Sequence, residues 1–277
     1  MFKGWIGLDV DGTITSEKYS VPKEVLSYLF SLYKKGWNIS IFTGRSYAFS
    51  SEIFSCFHFP CYFSFQNGSS LFEMPQKNCL MKRYVSRAAL VYLQKIAKNI
   101  EVALVVYTGY EQGDKCYWIK NHLSKKYESY IEEIMKRQGQ KMGKNASLPE
   151  DIKNFPYIKF VGPLPFIIVL AEKLKKDKIF DFSIVKDPFN KNFHVLLITQ
   201  KGVNKGTALK ELIAIKGKRG KVIVAGNDDN DFSLFGAADI KIAMSDAPSH
   251  LKESADIIAP PAEENGIISA LRMIMEE

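Results

Sequence analysis

The sequence predicts an α/β fold: an open, mostly parallel sheet covered by helices, interrupted in sequence by an inserted unit of mixed α and β structure. Three observations predict it. Short apolar runs alternate with amphipathic helical stretches from Trp5 to Glu73, and the same alternation resumes after Gly202. Between them, residues 83–199 follow a different pattern, in which strand-like runs outnumber helices.

In order, WIGLDV (5–10) is a short apolar run of the kind a strand buried on both faces requires. VPKEVLSYLFSLYKKG follows, with Val25, Leu26, Leu29 and Leu32 at helical spacing, Pro22 in the first turn and Gly36 beyond the end. NISIFTGR is a second strand ending at Thr43-Gly44-Arg45, and a helix is expected from about Tyr47 to Cys56. CYFSFQNGSSLFE then reads as strand, Asn-Gly turn and strand.

The middle of the chain predicts a helix near 84–98, the strand EVALVVYT, a CYWIK segment and a Lys- and Glu-rich helix near 122–138. YIKFVG, the helix PFIIVLAEKLKK, FDFSIVK and FHVLLIT complete it. The C-terminal part gives the helix KGTALKELIAIKG, the buried strand KVIVAGN, a short helix DFSLFGAA and the strand IKIAMS. HLKESA, ADIIAP and NGIISALRMIMEE end it as helix, strand and helix. The expected organisation is a discontinuous core, 1–82 and 200–277, carrying an α/β cap of 83–199.

With 277 residues, 46% hydrophobic and 25% charged, the chain can form two compact domains and is not a disordered one. The net charge of +8 suits an anionic partner, but no zinc-finger spacing, RNA-binding motif or long basic block accompanies it. No nucleic-acid partner is therefore expected. Cys56, Cys61, Cys79 and Cys116 lack CxxC or disulfide-framework spacing, as in a reducing compartment. The first strand begins too soon after Met1 for a signal peptide, and no apolar run reaches membrane length. A cytoplasmic protein without a membrane partner is expected; nothing in the sequence sets its oligomeric state.

The chemistry is concentrated where strands end. In open parallel sheets ligands collect at the carboxyl edge. The first strand delivers Asp9 and Asp11 there, the second delivers Thr43-Gly44-Arg45, and a C-terminal strand delivers Gly226-Asn227-Asp228-Asp229-Asn230-Asp231. Carboxylates this close repel one another unless a proton or cation intervenes. Oxygen ligands without paired His or Cys favour a hard cation, by default Mg²⁺. A carboxylate beside that ion can attack phosphorus, and a second can act as general acid and then base.

These residues resemble the haloacid dehalogenase superfamily of phosphohydrolases. DVDGT matches its DxDGT signature; TGR (43–45), Lys205 in NKGTAL and AGNDDND (225–231) resemble its second, third and fourth motifs in order. The QNGSSLFE hairpin and the large inserted cap are similar to the Cof-like subfamily. The resemblance implies a Rossmann-like core and a phosphatase acting on a small phosphorylated metabolite, a sugar phosphate or nucleotide. It implies Asp9 as nucleophile, Asp11 as acid/base and, through its main-chain carbonyl, a Mg²⁺ ligand. Thr43 would bond the phosphoryl oxygens, Lys205 would hold the phosphoryl charge, and Asn227 and Asp231 would complete the metal site. Asn230 would orient the substrate or Lys205, with Gly44, Arg45 and Asn67 also on the substrate side.

The sequence departs from the family pattern at Asn227, where Asp is usual, and at Asp246, which replaces a neutral residue. Asp228 or Asp229 could compensate for the missing charge; equally, both could be charges favouring a helix N-terminus. Thr43 could also serve as an N-cap, and Arg45 could face solvent. The four histidines and the aromatics Tyr107, Tyr110, Tyr117 and Trp118 read as structural, and Lys125, Lys126, Lys136 and Lys141 as a solvated helix face or a basic lid. Two other functions remain open: a phosphomutase on the same scaffold, or a phosphate-ligand-binding protein with a weakened active site.

Overall fold

The computed structural model describes residues 1–119, 128–133, 148–187 and 190–276. Its contacts divide the chain into two units, Met1–Lys82 with Asn204–Glu277, and Arg83–Val203.

The first unit is built on an eight-stranded sheet. In chain order its strands are β1 (Gly4–Asp9), β2 (Trp37–Phe42), β3 (Cys61–Phe65), β4 (Ser70–Met74) and β5 (Asn78–Lys82), then β13 (Lys221–Gly226), β14 (Ile240–Met244) and β15 (Ile257–Ala259). The spatial order is β15-β14-β13-β1-β2-β3-β4-β5; the strands from β15 to β3 run parallel, and β4 and β5 are added antiparallel. All six residues of β1 are buried, because helices cover both faces of a parallel sheet and leave no polar side. Leu8 pairs with Ile41 on one side and Ala225 on the other. That register brings the carboxyl ends of β1, β2 and β13 level at one edge.

Helix α1 (Lys23–Lys34) buries Val25, Leu29 and Leu32, one stripe at helical spacing. Pro22 stands at its N-cap, one position earlier than the sequence pattern places it. The helix expected from Tyr47 to Cys56 is shorter: α2 spans Ser51–Ser55. Serine hydroxyls compete for the backbone just before it, with Ser50 Oγ donating to the Ser46 carbonyl at 2.9 Å and Ser46 Oγ accepting from the Phe49 N–H at 3.4 Å. Asn67 and Gly68 are left-handed, as an Asn-Gly turn requires, and Gln66 joins them, lengthening the β3–β4 loop. The edge strand β5 goes unannounced by the sequence: its residues are exposed or half-buried, so no apolar run marks it.

The second unit has β6 (Val85–Ser86), α3 (Arg87–Ile96), β7 (Ala103–Tyr107), β8 (Cys116–Ile119) and a helical stretch, α4, described over residues 128–133. β9 (Asn154–Phe155), β10 (Ile158–Pro163), α5 (Leu164–Asp177), β11 (Phe180–Lys186) and β12 (Phe193–Gln200) follow. Its main sheet, β11-β12-β10-β7-β8, is antiparallel throughout, and β6 pairs with β9. Alternate residues Leu104, Val106, Ile158, Phe160, Leu196 and Ile198 pack against Leu90, Leu93, Ile167, Leu170 and Leu174 of the two helices. Their neighbours Val105, Tyr107, Tyr157, Val161, Val195 and Leu197 form a second cluster with Ile131. Tyr107 is core, as expected. The rest of the helix expected near 122–138, with Lys125, Lys126, Lys136 and Lys141, lies outside the described residues.

In the first unit β13 leads back into the remaining helices: α6 (Lys205–Lys216) precedes it, and α7 (Phe232–Phe235), α8 (Ser249–Glu253) and α9 (Gly266–Glu276) follow. No helix among the described residues is long and apolar enough to cross a membrane.

Candidate active site

The shared carboxyl edge of β1, β2 and β13 brings the four motif segments together. Asp9 is the last residue of β1 and only 4% exposed. Lys205 is the first residue of α6, whose start is fixed by a reciprocal cap: Asn204 Oδ1 accepts from the Thr207 N–H at 2.9 Å, and Thr207 Oγ1 from the Asn204 N–H at 3.0 Å. From there the 1% exposed Lys205 donates from Nζ to Asp9 Oδ1 and to Asp231 Oδ1, each at 2.6 Å.

Asp231 is completely buried. Its other oxygen, Oδ2, accepts from the N–H groups of Asn227 at 2.9 Å and Asp228 at 3.1 Å, closing the loop after β13. Gly226 makes this possible, since a Cβ there would stand 2.4 Å from Asp231 Cβ. Asp231 thus holds Lys205 and shapes the loop at once, with both sites on Oδ2 taken and one of about two on Oδ1 left open.

The electrostatics follow from burial. Loss of water raises the Asp9 carboxyl above its ordinary range, and the nearby Asp231 charge raises it further against the opposing pull of Lys205. Burial alone would lower the Lys205 ammonium, but Asp231 and Asp9 outweigh it and the group is raised. One ammonium serves two carboxylates, so Lys205 is firmly charged while Asp9 remains short of positive charge. Burial also raises Asp228, whose Oδ1 accepts from the Asp229 N–H at 2.7 Å.

Asp11 behaves differently. Its side chain is 57% exposed, while the Arg45 side chain that grips it is 7% exposed. Arg45 donates from Nε to Asp11 Oδ2 at 2.9 Å and Oδ1 at 3.2 Å, and from Nη2 to Oδ1. Of the two readings open for Arg45, the solvent-facing one does not hold. Thr43 is no helix N-cap either, because α2 begins only at Ser51; its Oγ1 accepts instead from the Arg45 N–H at 3.0 Å, a tight hydroxyl turn. Among the described residues its O–H donates to no other group.

Asn67 and Asn230 meet each other. Asn230 Nδ2 donates to Asn67 Oδ1 at 3.1 Å, while the Asn67 N–H donates to the Thr43 carbonyl at 3.0 Å. Gly44 lies beneath this pair, where a Cβ would sit 3.3 Å from Asn67 Oδ1. Asn230 is therefore tied to the hairpin and makes no hydrogen bond to Lys205 among the described residues. Asp229 faces His250 at 3.1 Å, and Asp246 is exposed in the turn after β14.

Among the described residues no three His, Cys, Asp or Glu side chains gather as a metal-holding group. Asn227 brings an amide to this loop, not a carboxylate. Its side chain lies over Gly12, where a Cβ would meet Nδ2 at 2.1 Å, and its Oδ1 is 3.5 Å from Thr13 Oγ1. Asp9, Asp231, the Asn227 amide oxygen and the Asp11 carbonyl are oxygen donors only, and Asp9 is a buried carboxyl that Lys205 compensates only in part. This donor set fits a hard divalent cation.

The sequence model of haloacid dehalogenase-like hydrolases matches residues 6–271. A phosphoglycolate phosphatase of Saccharolobus solfataricus is 37% identical over 79 residues, covering 28% of this chain and 34% of that relative. The chain thus spans about a third of that relative's length. A Mycoplasma pneumoniae protein described as a phosphatase is 25% identical over 98% of both chains. Among solved structures, a phosphatase of the haloalkanoate superfamily from Bacteroides thetaiotaomicron superposes with a TM-score of 0.79 at 17% identity, covering 98% of this chain and 95% of that one. At that identity the likeness is one of fold.

Proposed function

This chain belongs to the haloacid dehalogenase-like hydrolase family, and we propose that it is a Mg²⁺-dependent phosphatase that hydrolyses a small phosphomonoester through a phosphorylated Asp9. The observation that carries the reading is the Lys205 ammonium shared at 2.6 Å between the buried Asp9 and Asp231. A fixed, fully charged cation touching the attacking carboxylate is what phosphoryl transfer needs, because positioning and charge stabilisation supply most of its catalysis.

In the first step an Asp9 oxygen bonds to phosphorus as the ester P–O bond breaks, and Asp11 gives a proton to the leaving oxygen. In the second, Asp11 takes a proton from water as that water attacks the phosphorus of aspartyl-phosphate, and inorganic phosphate leaves with Asp9 restored. Lys205 and the Thr43 hydroxyl hold the phosphoryl oxygens. Asp9, the Asp11 carbonyl, Asn227 and Asp231 would hold Mg²⁺, which supplies neutralisation of the phosphoryl charge. The unit 83–203 would act as the cap that selects the substrate, and small phosphorylated acids, sugar phosphates and nucleotides are the class to test.

The replacement of a metal carboxylate by Asn227 favours a second reading, a phosphate-ligand binder of weakened activity. Purified protein with Mg²⁺ decides between them. Phosphate release from p-nitrophenyl phosphate, abolished in Asp9→Asn, supports the phosphatase and counts against a mutase that releases none. No turnover on a broad ester panel, with no calorimetric Mg²⁺ binding, supports the weakened form.

A further inference from the structure

We infer that Arg45 is a positioning residue for Asp11, a rigid dock that holds the acid/base carboxylate at the mouth of the site. The inference rests on the proposed phosphatase reading and concerns how Asp11 is kept in place. Asp11 stands on a loop beyond the strand, with a side chain more than half exposed. An exposed aspartate on a turn samples several rotamers, and general acid–base catalysis requires one.

Arg45 is built to remove that freedom. Its backbone is fixed at both ends, the N–H donating to Thr43 Oγ1 at 3.0 Å and the carbonyl accepting from the Gln66 N–H at 3.0 Å. Its guanidinium is fixed as well: Nη1 donates to the Lys18 carbonyl at 2.5 Å, and Cζ lies 5.0 Å from the centre of the Phe49 ring. The remaining edge, Nε and Nη2, forks onto both oxygens of Asp11. The arginine is thus the buried, immobile partner and the aspartate the exposed one it orients. A planar fork sets the carboxylate plane; a lysine ammonium, a single point charge, does not.

The alternative is that Arg45 binds the phosphoryl group itself. The two roles separate by leaving group. If Arg45 acts through Asp11, its loss matters when the leaving oxygen needs a proton and little when it does not. A direct phosphoryl contact would matter equally for both esters.

The test uses Arg45→Lys in the full chain, with kcat/KM measured on glycerol 2-phosphate and on p-nitrophenyl phosphate. Misplacing a catalytic group costs ~10²-fold, so a loss of that order is expected on the alkyl ester, with a loss under ~10-fold on the aryl ester. Adding Arg45→Lys to Asp11→Asn should then change the aryl-ester kcat/KM by less than ~2-fold, because residues acting as one unit are not additive. Phe49→Leu, which removes the ring face from the guanidinium, should show the same leaving-group dependence more weakly and serves if Arg45→Lys does not fold. Equal losses on the two esters, or a full further loss in the Asp11→Asn background, would overturn the inference while leaving the phosphatase reading intact. No turnover of any ester by the unmodified protein would instead remove both.

Discussion

Replacing Lys205 with Met removes the cation held between two buried carboxylates. At 2.6 Å and an effective dielectric of about 20, each contact carries a Coulomb attraction of ~6 kcal/mol before any desolvation is counted. Withdrawing the ammonium from water opposes most of that sum, so the pairs themselves contribute little net stability. Removing only the lysine is another matter, because Asp9 and Asp231 remain buried and uncompensated; about 3–5 kcal/mol is the expected loss. For a unit of this size that lowers the melting temperature by roughly 10 °C. Lys201→Ala is the control. Lys201 also meets a carboxylate, Asp181, at 2.6 Å, but its side chain is 60% exposed, and a pair screened by water contributes about 0–1 kcal/mol. Differential scanning calorimetry of the two variants compares the same contact distance at opposite burial. Equal shifts in melting temperature would refute the assignment of Lys205 as a buried, charge-compensating cation.

Other outcomes follow from the same geometry. Asn227→Asp restores a carboxylate beside Gly12 and should tighten Mg²⁺ binding roughly tenfold, or about 1.4 kcal/mol, by calorimetry; unchanged affinity would place residue 227 outside the metal shell. Lys159 in the second unit is lowered from 10.5 to about 8 by burial, against the opposing influence of Cys116, Asp187 and Asp114, with the rings of Tyr157 and Tyr107 at 4.9 and 5.0 Å. The unfolded chain therefore binds the proton more tightly, and native stability should rise as pH climbs from about 8 towards 10.5. Lys159→Met should stabilise the protein at pH 7 by on the order of 1–2 kcal/mol, a gain that shrinks across that window; a gain independent of pH would contradict it.

The apolar runs announced the parallel strands because burial on both faces leaves a continuous signal, as in WIGLD and KVIVAG. The site segments were legible for a related reason: parallel strands in register deliver their carboxyl ends to one edge, so Asp9, Thr43 and Asp231 follow from topology. Asn67 was legible as a turn residue through its Asn-Gly pair. What the sequence concealed depends on side chains meeting across the fold. The Arg45 fork on Asp11 joins residues 34 positions apart; each stands in a motif of its own, but neither motif shows that the two side chains meet. The anchors of that fork, the Lys18 carbonyl and the Phe49 ring, carry no sequence signal. β5 was hidden because an edge strand needs no apolar run, and α2 was overextended because helical periodicity does not register serine hydroxyls competing for the backbone.

In the proposed mechanism Asp9 carries the phosphoryl group while Asp11 moves protons. Intact-protein mass spectrometry after incubation of Asp11→Asn with p-nitrophenyl phosphate and Mg²⁺ tests it directly. The aryl oxygen leaves without a proton donor, but hydrolysis of the intermediate lacks its base, so the variant should accumulate the mass of one phosphoryl group, located on the peptide containing Asp9. Asp9→Asn and the double variant should never acquire it. A phosphorylated Asp9→Asn protein, or a phosphoryl group on any other residue of Asp11→Asn, would contradict the account.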